Sequence, residues 1–222
     1  QSDAVICNCS TGGTELAGAI SIFDTAQALM KDNTVIENCS AVVEQSYSGN
    51  GGAVLIKSDD EASFTMEGGT IRACSAGKNG GAVYVNDRGV VTLRDGTMMV
   101  EKDDGTTETA ATHPTITGNS STSGGAIDVG GANSRLYFSG DAVVYNNPSA
   151  DAQQQKNVVL SVTGDNTNDV IQTTSEGLGT GAHIGVYVTG NDSTNPYKDH
   201  GTIGLPFGTA ESSDNGEKNL AD

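Results

Sequence analysis

Few residues in this chain of 222 have a type and spacing that could do chemistry. Two acidic runs are dense enough to supply paired carboxylates, Asp59-Asp60-Glu61 and Asp103-Asp104. A glycoside hydrolase needs two such groups, at a separation set by inverting or retaining chemistry. Both runs lie in turn-like sequence beside Ser, Gly or Lys, where acidic runs usually face water. Solvated turn charge is therefore the expectation. A lyase would need a basic residue to take a proton, and Lys and Arg are scarce and scattered. His113, His183 and His200 are far apart and share no ligand spacing. On these grounds no catalytic residue, cofactor-binding residue or metal ligand is assigned. Calcium could sit in acidic loops at 59–61, 103–105 and 165–169, although none matches an EF-hand or a Gly-Gly-x-Gly-x-Asp repeat.

Four cysteines, Cys7, Cys9, Cys39 and Cys74, raise the questions of disulfides and zinc. Cys7 and Cys9 form a Cys-x-Cys pair, but a zinc site needs two further ligands nearby and the sequence offers none. Cys9, Cys39 and Cys74 each stand three residues after an isoleucine: Ile6, Ile36 and Ile71. If these segments stack, their Cα atoms fall ~4.8 Å apart, within disulfide range. Side chains stacked in parallel are poorly aimed for the bond, so buried free thiols are favoured over bridges.

The elements that would position these groups are repeats. Gly51-Gly52-Ala53-Val54 returns as Gly80-Gly81-Ala82-Val83 and as Gly124-Gly125-Ala126-Ile127, with a weaker copy at Ala17-Gly18-Ala19-Ile20. Apolar pairs seven apart accompany them: Leu29 and Ile36, Phe64 and Ile71, Val91 and Met98, Leu136 and Val143. Three residues beyond the second member comes Cys or Asn, the later copies being Ile116 with Asn119 and Val143 with Asn146. Register that survives variable spacing is how stacked repeats behave when insertions are confined to turns. Alternating and β-branched segments punctuated by Gly-Gly, Asn-Gly and Asp-Gly predict short strands. The leading glycines supply positive φ at a sharp corner and leave no Cβ between stacked turns. The expected fold is all-β, a right-handed parallel β-helix of about five coils over 1–209. Residues 134–209 would form closing coils, and 210–222 a polar tail or linker. Val100–Pro114 should project as a loop or hairpin, with 163–183 as a second loop. Asn157 to Val162 and Ile184 to Val188 should be strands.

Composition narrows the function. Eleven basic residues against 28 acidic ones give a net charge of −17, which argues against nucleic acid and anionic membrane as partners. No run approaches the ~18–20 apolar residues that span a bilayer. The chain opens inside a repeat without a signal peptide, so a piece of something longer is expected.

The glycine-led strands at Gly51, Gly80 and Gly124, with Ile116-Thr117-Gly118-Asn119 and Val143-Val144-Tyr145-Asn146, resemble the repeats of the polymorphic outer-membrane protein family of adhesins. They are also similar to β-helix repeats of large surface proteins in gut Gram-positive bacteria. In those the last coils place an Asn-Val-x-Leu strand before a Gly-Ala-x-Ile-Gly-Val strand; here these are Asn157 to Leu160 and Gly181 to Val186. The resemblance spans about residues 5–190. It implies an extracellular or surface-anchored bacterial β-helix that binds a host or neighbouring-cell protein or glycan, without catalysis. A carbohydrate-active or glycan-binding β-helix is the alternative, and a purely structural stalk a third. Asp199-His200-Gly201 is similar to the Gly-His-Gly of polygalacturonases but lacks that family's Asp-Asp and Arg-x-Lys partners. Six tyrosines (47, 84, 137, 145, 187 and 197) could line a sugar groove. The sequons Asn119-Ser120-Ser121 and Asn191-Asp192-Ser193 read as polar turns.

Overall fold

A computed structural model describes residues 4–12, 16–43, 49–131, 133–148, 156–161, 170–189, 202–203 and 218–219. Tyr47, Tyr197, His200, the 165–169 loop and the Asn191 sequon lie outside these residues, as do most of 190–222 and the side chain of Tyr187.

Among the described residues the fold is all-β, and almost every strand pairs in parallel with its counterpart in the next repeat. The first repeat gives β1 (Val5–Cys7), β2 (Ser10–Thr11) and β3 (Ile20–Phe23). The second gives β4 (Gln27–Glu37), β5 (Ser40–Ala41) and β6 (Val54–Ser58), and the third β7 (Ser63–Arg72), β8 (Ser75–Ala76) and β9 (Val83–Asp87). The fourth is interrupted: β10 (Val90–Leu93), then the hairpin β11 (Gly96–Glu101) and β12 (Thr107–Thr112), then β13 (Thr115–Thr117), β14 (Ser120–Ser121) and β15 (Ile127–Val129). The fifth comprises β16 (Arg135–Gly140), β17 (Val143–Val144) and β18 (Val158–Ser161). Beyond it come β19 (Val170–Leu178), β20 (His183–Thr189), β21 (Thr202–Ile203) and β22 (Lys218–Asn219). This arrangement is consistent with a β-helix-like solenoid.

Stacking makes columns. Ala28, Phe64, Val91, Leu136 and Ile171 align through the register of β4, β7, β10, β16 and β19. Ile6, Ile36, Ile71, Ile116, Val144 and Ile184 form a second column. The glycine-led strands add Ile20, Val54, Val83, Ile127, Val158 and Val186. From the second repeat onward nearly all these side chains are buried, and they carry the hydrophobic free energy of the fold.

The repeat register differs from the sevenfold expectation at three places. Ala28 rather than Leu29 aligns with Phe64, and Leu29 faces outward at 55% exposure. A register shift between Asp32 and Val35, with Asp32 at φ 57°, absorbs the extra residue of β4. Val144, not Val143, occupies the isoleucine column. Met98 is no core residue: it lies in the hairpin, and Ile116 takes its place beneath Ile71.

The two leading glycines divide the work. Gly51 and Gly80 take φ of 70° and 63°, in the left-handed region that a side chain disfavours. Gly52 instead permits close stacking, since a Cβ there would fall 2.0 Å from the Gly81 carbonyl oxygen.

The cysteine and asparagine column is continuous, but its later members are Asn119, Asn147 and Asn157, not Asn146. The Asn119 carboxamide accepts from the Cys74 N–H at 2.9 Å and donates to the Ile71 and Thr117 carbonyls, each at 3.0 Å. Asn147 repeats the pattern one rung on, accepting from the Asn119 N–H and donating to the Ile116 and Tyr145 carbonyls. Cysteine fills the same role upstream, where the Cys74 thiol donates toward the Arg72 carbonyl and the Cys39 N–H bonds to the Cys74 sulfur. Asn146 is in the preceding column, where the chain turns at positive φ in every repeat: Asn8, Asn38, Ala73, Gly118 and Asn146 lie between 53° and 67°. The Asn119 sequon is thus a fully buried ladder rung, not a polar turn.

Residues 163–183 are not one loop, because β19 within them pairs in parallel with β16.

Candidate functional site

The corner that β7 crosses with Gly68 and Gly69, at φ 125° and 81°, is where the fourth repeat inserts its hairpin. The hairpin begins at Gly96, earlier than the Val100 expected from sequence, and its strands pair antiparallel from Gly96 with Thr112 to Glu101 with Thr107. Its foot is seated on the corner. The Thr112 hydroxyl donates to the Glu67 carbonyl at 2.7 Å, and a Cβ at Gly96 would fall 2.1 Å from that same oxygen. Asp103-Asp104-Gly105 forms the tip, where Asp104 caps the turn by accepting from the Thr106 N–H and hydroxyl. Those two bonds hold its carboxyl below the usual range.

At the neck of the hairpin three side chains from separate stretches converge. His113 Nδ1 lies 2.8 Å from Asp95 Oδ1, which also accepts from the Asp141 N–H at 2.9 Å. Asp141 Oδ1 accepts in turn from the Gly181 N–H at 2.8 Å. One donor atom from each of Asp95, His113 and Asp141 lies within 4.8 Å of the others. Sequence reasoning missed this cluster, because the fold, not the spacing, joins positions 95, 113 and 141. Asp95 and Asp141 stand alone in sequence rather than in dense runs.

Asp95 also borders an open cleft of about 350 Å³, lined by Lys31, Glu67, Arg94, Gly96, Thr97 and Glu176. Lys31, Glu67 and Arg94 come from successive repeats and form an alternating charge ladder. Lys31 Nζ lies 3.3 Å from Glu67 Oε2, and the Arg94 guanidinium pairs with Glu67 Oε1. Arg94 foremost, with Lys31, holds the Glu67 carboxyl below its ordinary range despite some burial. Glu67 is therefore an ionised group at neutral pH and a poor proton donor.

The other expected groups stay apart. Asp59, Asp60 and Glu61 are exposed, the Asp60 N–H is capped by the Ser58 hydroxyl, and Glu61 pairs with Arg135 at 3.0 Å. His183 stacks on Tyr145 with ring centroids 3.8 Å apart. Tyr84, Tyr137 and Tyr145 sit in three different columns. All four cysteines are free, and burial pushes the Cys74 thiol up to about 12. Asp128, a position the sequence did not single out, is fully buried on a glycine-led strand against Gly124. Among the described residues no helix is long and apolar enough to cross a membrane.

Comparison with protein-family models, with curated proteins and with solved structures found no match to this chain.

Proposed function

We propose that this is a non-enzymatic, adhesin-like module of a bacterial surface or secreted protein. In this reading the stacked repeats wind as a right-handed β-helix of about five coils, and the hairpin is presented to a host or neighbouring-cell protein or glycan. One observation carries it: a regular corner is interrupted by a hairpin whose outer half is exposed, including Met99 and Thr107 to Thr109. Rigid scaffolds commonly carry binding residues on such excursions, since the scaffold tolerates insertion and holds it in place. A stalk segment has no need of one. The charged cleft gives the carbohydrate reading a location, but Glu67 is held ionised by Arg94 and is unsuited as the general acid of glycoside hydrolysis.

The test uses the full chain and a variant in which 99–109 is replaced by Asn-Gly. Met98 and Ala110 are register partners, so a two-residue type I′ turn can close the shortened hairpin without disturbing its neck. Both proteins are screened against glycan and extracellular-matrix arrays and assayed for polysaccharide degradation. Binding by the full chain that disappears in the folded variant supports display by the hairpin. Binding that survives the truncation contradicts it, and release of reducing ends or unsaturated product contradicts the non-enzymatic reading.

A further inference from the structure

We propose that Asp95, His113 and Asp141 bind a divalent first-row transition-metal ion that ties the neck of the hairpin to the following repeat. The donor set is the first reason. One imidazole and two carboxylates within 4.8 Å suit ions such as Mn²⁺ and Zn²⁺, whereas Ca²⁺ prefers six to eight oxygens. Electrostatics is the second. Two carboxylates are brought together on a chain of net charge −17, and the side chain in hydrogen-bond contact with Asp95 is the imidazole of His113. Arg94, the adjacent cation, is turned away to Glu67. A bound dication would offset the repulsion that this arrangement creates.

The backbone around the carboxylates is cleared for them. Gly140, at φ 66°, would place a Cβ 2.2 Å from the Asp95 carboxylate carbon, and a Cβ on Gly179 would fall 2.0 Å from Asp141 Oδ1. Ser139 is fully buried, and its hydroxyl has no hydrogen-bond partner among the described residues. Ser139 stands two residues before Asp141, at the irregularity between Phe138 and Gly140 where β16 pairs with β19. Asp95 and His113 flank the hairpin, and Asp141 belongs to the next repeat and reaches Gly181 beyond it. An ion here would link three segments far apart in sequence. The inference is independent of what the hairpin binds.

The experiment titrates Mn²⁺ into the chelator-treated full chain, following metal binding by calorimetry and its location by paramagnetic broadening of amide NMR signals. Mn²⁺ is chosen because the free thiols compete for it poorly. The expected result is one equivalent bound at least tenfold tighter than Ca²⁺, displaced by Zn²⁺, with broadening centred on Gly96, Thr112 and Gly140. At a hundredfold excess over its dissociation constant the ion raises Tm by roughly 5–10 °C. His113→Gln and Asp141→Asn should each weaken binding at least tenfold, while His183→Gln should leave it unchanged. Asn can still accept from the Gly181 N–H, so Asp141→Asn keeps the fold. Equal affinity for Mn²⁺ and Ca²⁺, broadening spread over the acidic surface, or wild-type binding by folded His113→Gln would each overturn the proposal.

Discussion

Replacing Asn119 tests whether the buried ladder stabilises the fold through hydrogen bonds or only fills space. The carboxamide accepts from the Cys74 N–H, donates to the Ile71 and Thr117 carbonyls, and reaches Asn147 Oδ1 at 3.1 Å. Asn119→Ala removes all four interactions at a fully buried position. A buried donor or acceptor left without a partner costs about 1–3 kcal/mol, so two or more such groups bring the loss to about 3–5 kcal/mol. That is a large part of a domain's total of about 5–15 kcal/mol. Asn119→Cys should cost only about 1–2 kcal/mol, because a thiol can occupy the rung as Cys74 does, donating toward the Arg72 carbonyl at 3.4 Å and accepting from the Cys39 N–H. Urea unfolding at 25 °C, followed by circular dichroism with unchanged m-value, reads both losses. An Ala variant costing under about 1 kcal/mol, or a Cys variant as destabilised as Ala, would refute the hydrogen-bond reasoning.

Further outcomes follow from other columns. Gly52→Ala forces a Cβ to within 2.0 Å of the Gly81 carbonyl, and should lower stability by about 3 kcal/mol or abolish folding, read by thermal unfolding. Ala73→Gly relieves a side chain held at φ 53° in the left-handed turn column, and should raise stability by about 1 kcal/mol in urea. The Glu67 carboxyl is lowered in the fold by Arg94 and Lys31, so its ion pairs stabilise above its ordinary value of 4.5 and that contribution fades as pH falls below it. Glu67→Gln should therefore flatten the acid limb of a Tm-against-pH curve by the equivalent of about 1 kcal/mol, because its cationic partners are half exposed. In native protein at pH 8, Cys7 should react readily with an aromatic disulfide reagent, and Cys74, raised to about 12 and buried, should react only on unfolding.

The stacking was legible in the sequence because its causes are local and recurrent. The glycine pairs at 51–52 and 80–81 each mark a corner where one residue takes positive φ and the next lies against a carbonyl of the neighbouring repeat. Each Ile-x-x-Cys or Ile-x-x-Asn marks a rung, buried from Cys39 onward. Fine register was harder to read. At Leu29 an apolar residue sits beside the true column member Ala28, and only the shift near Asp32 decides between them. At Asn146 and Asn147 two identical residues adjoin, one needed for the left-handed turn and the other for the ladder. The Val143 and Asn146 pairing kept the spacing and slipped by one position. Met98 fitted the sevenfold pattern by coincidence, because a hairpin strand alternates much as a core strand does. The neck cluster was not legible. His113 meets Asp95 only because an antiparallel hairpin returns the chain to its starting point, and Asp141 joins them only because repeats stack there. Proximity of that kind is created by topology.

The central claim is that successive repeats lie in parallel register, so that Cys9, Cys39, Cys74 and Asn119 form one column. Ser40, Ser75 and Ser120 donate their N–H groups to the carbonyls of Cys9, Cys39 and Cys74 at 2.8, 2.9 and 3.0 Å. Scalar couplings across these three hydrogen bonds, measured by NMR on isotopically labelled protein, test it most directly. The account predicts a coupling from each serine amide nitrogen to the carbonyl carbon of the cysteine one repeat earlier. Couplings to other carbonyls, in the alternating pattern of antiparallel neighbours, would contradict it.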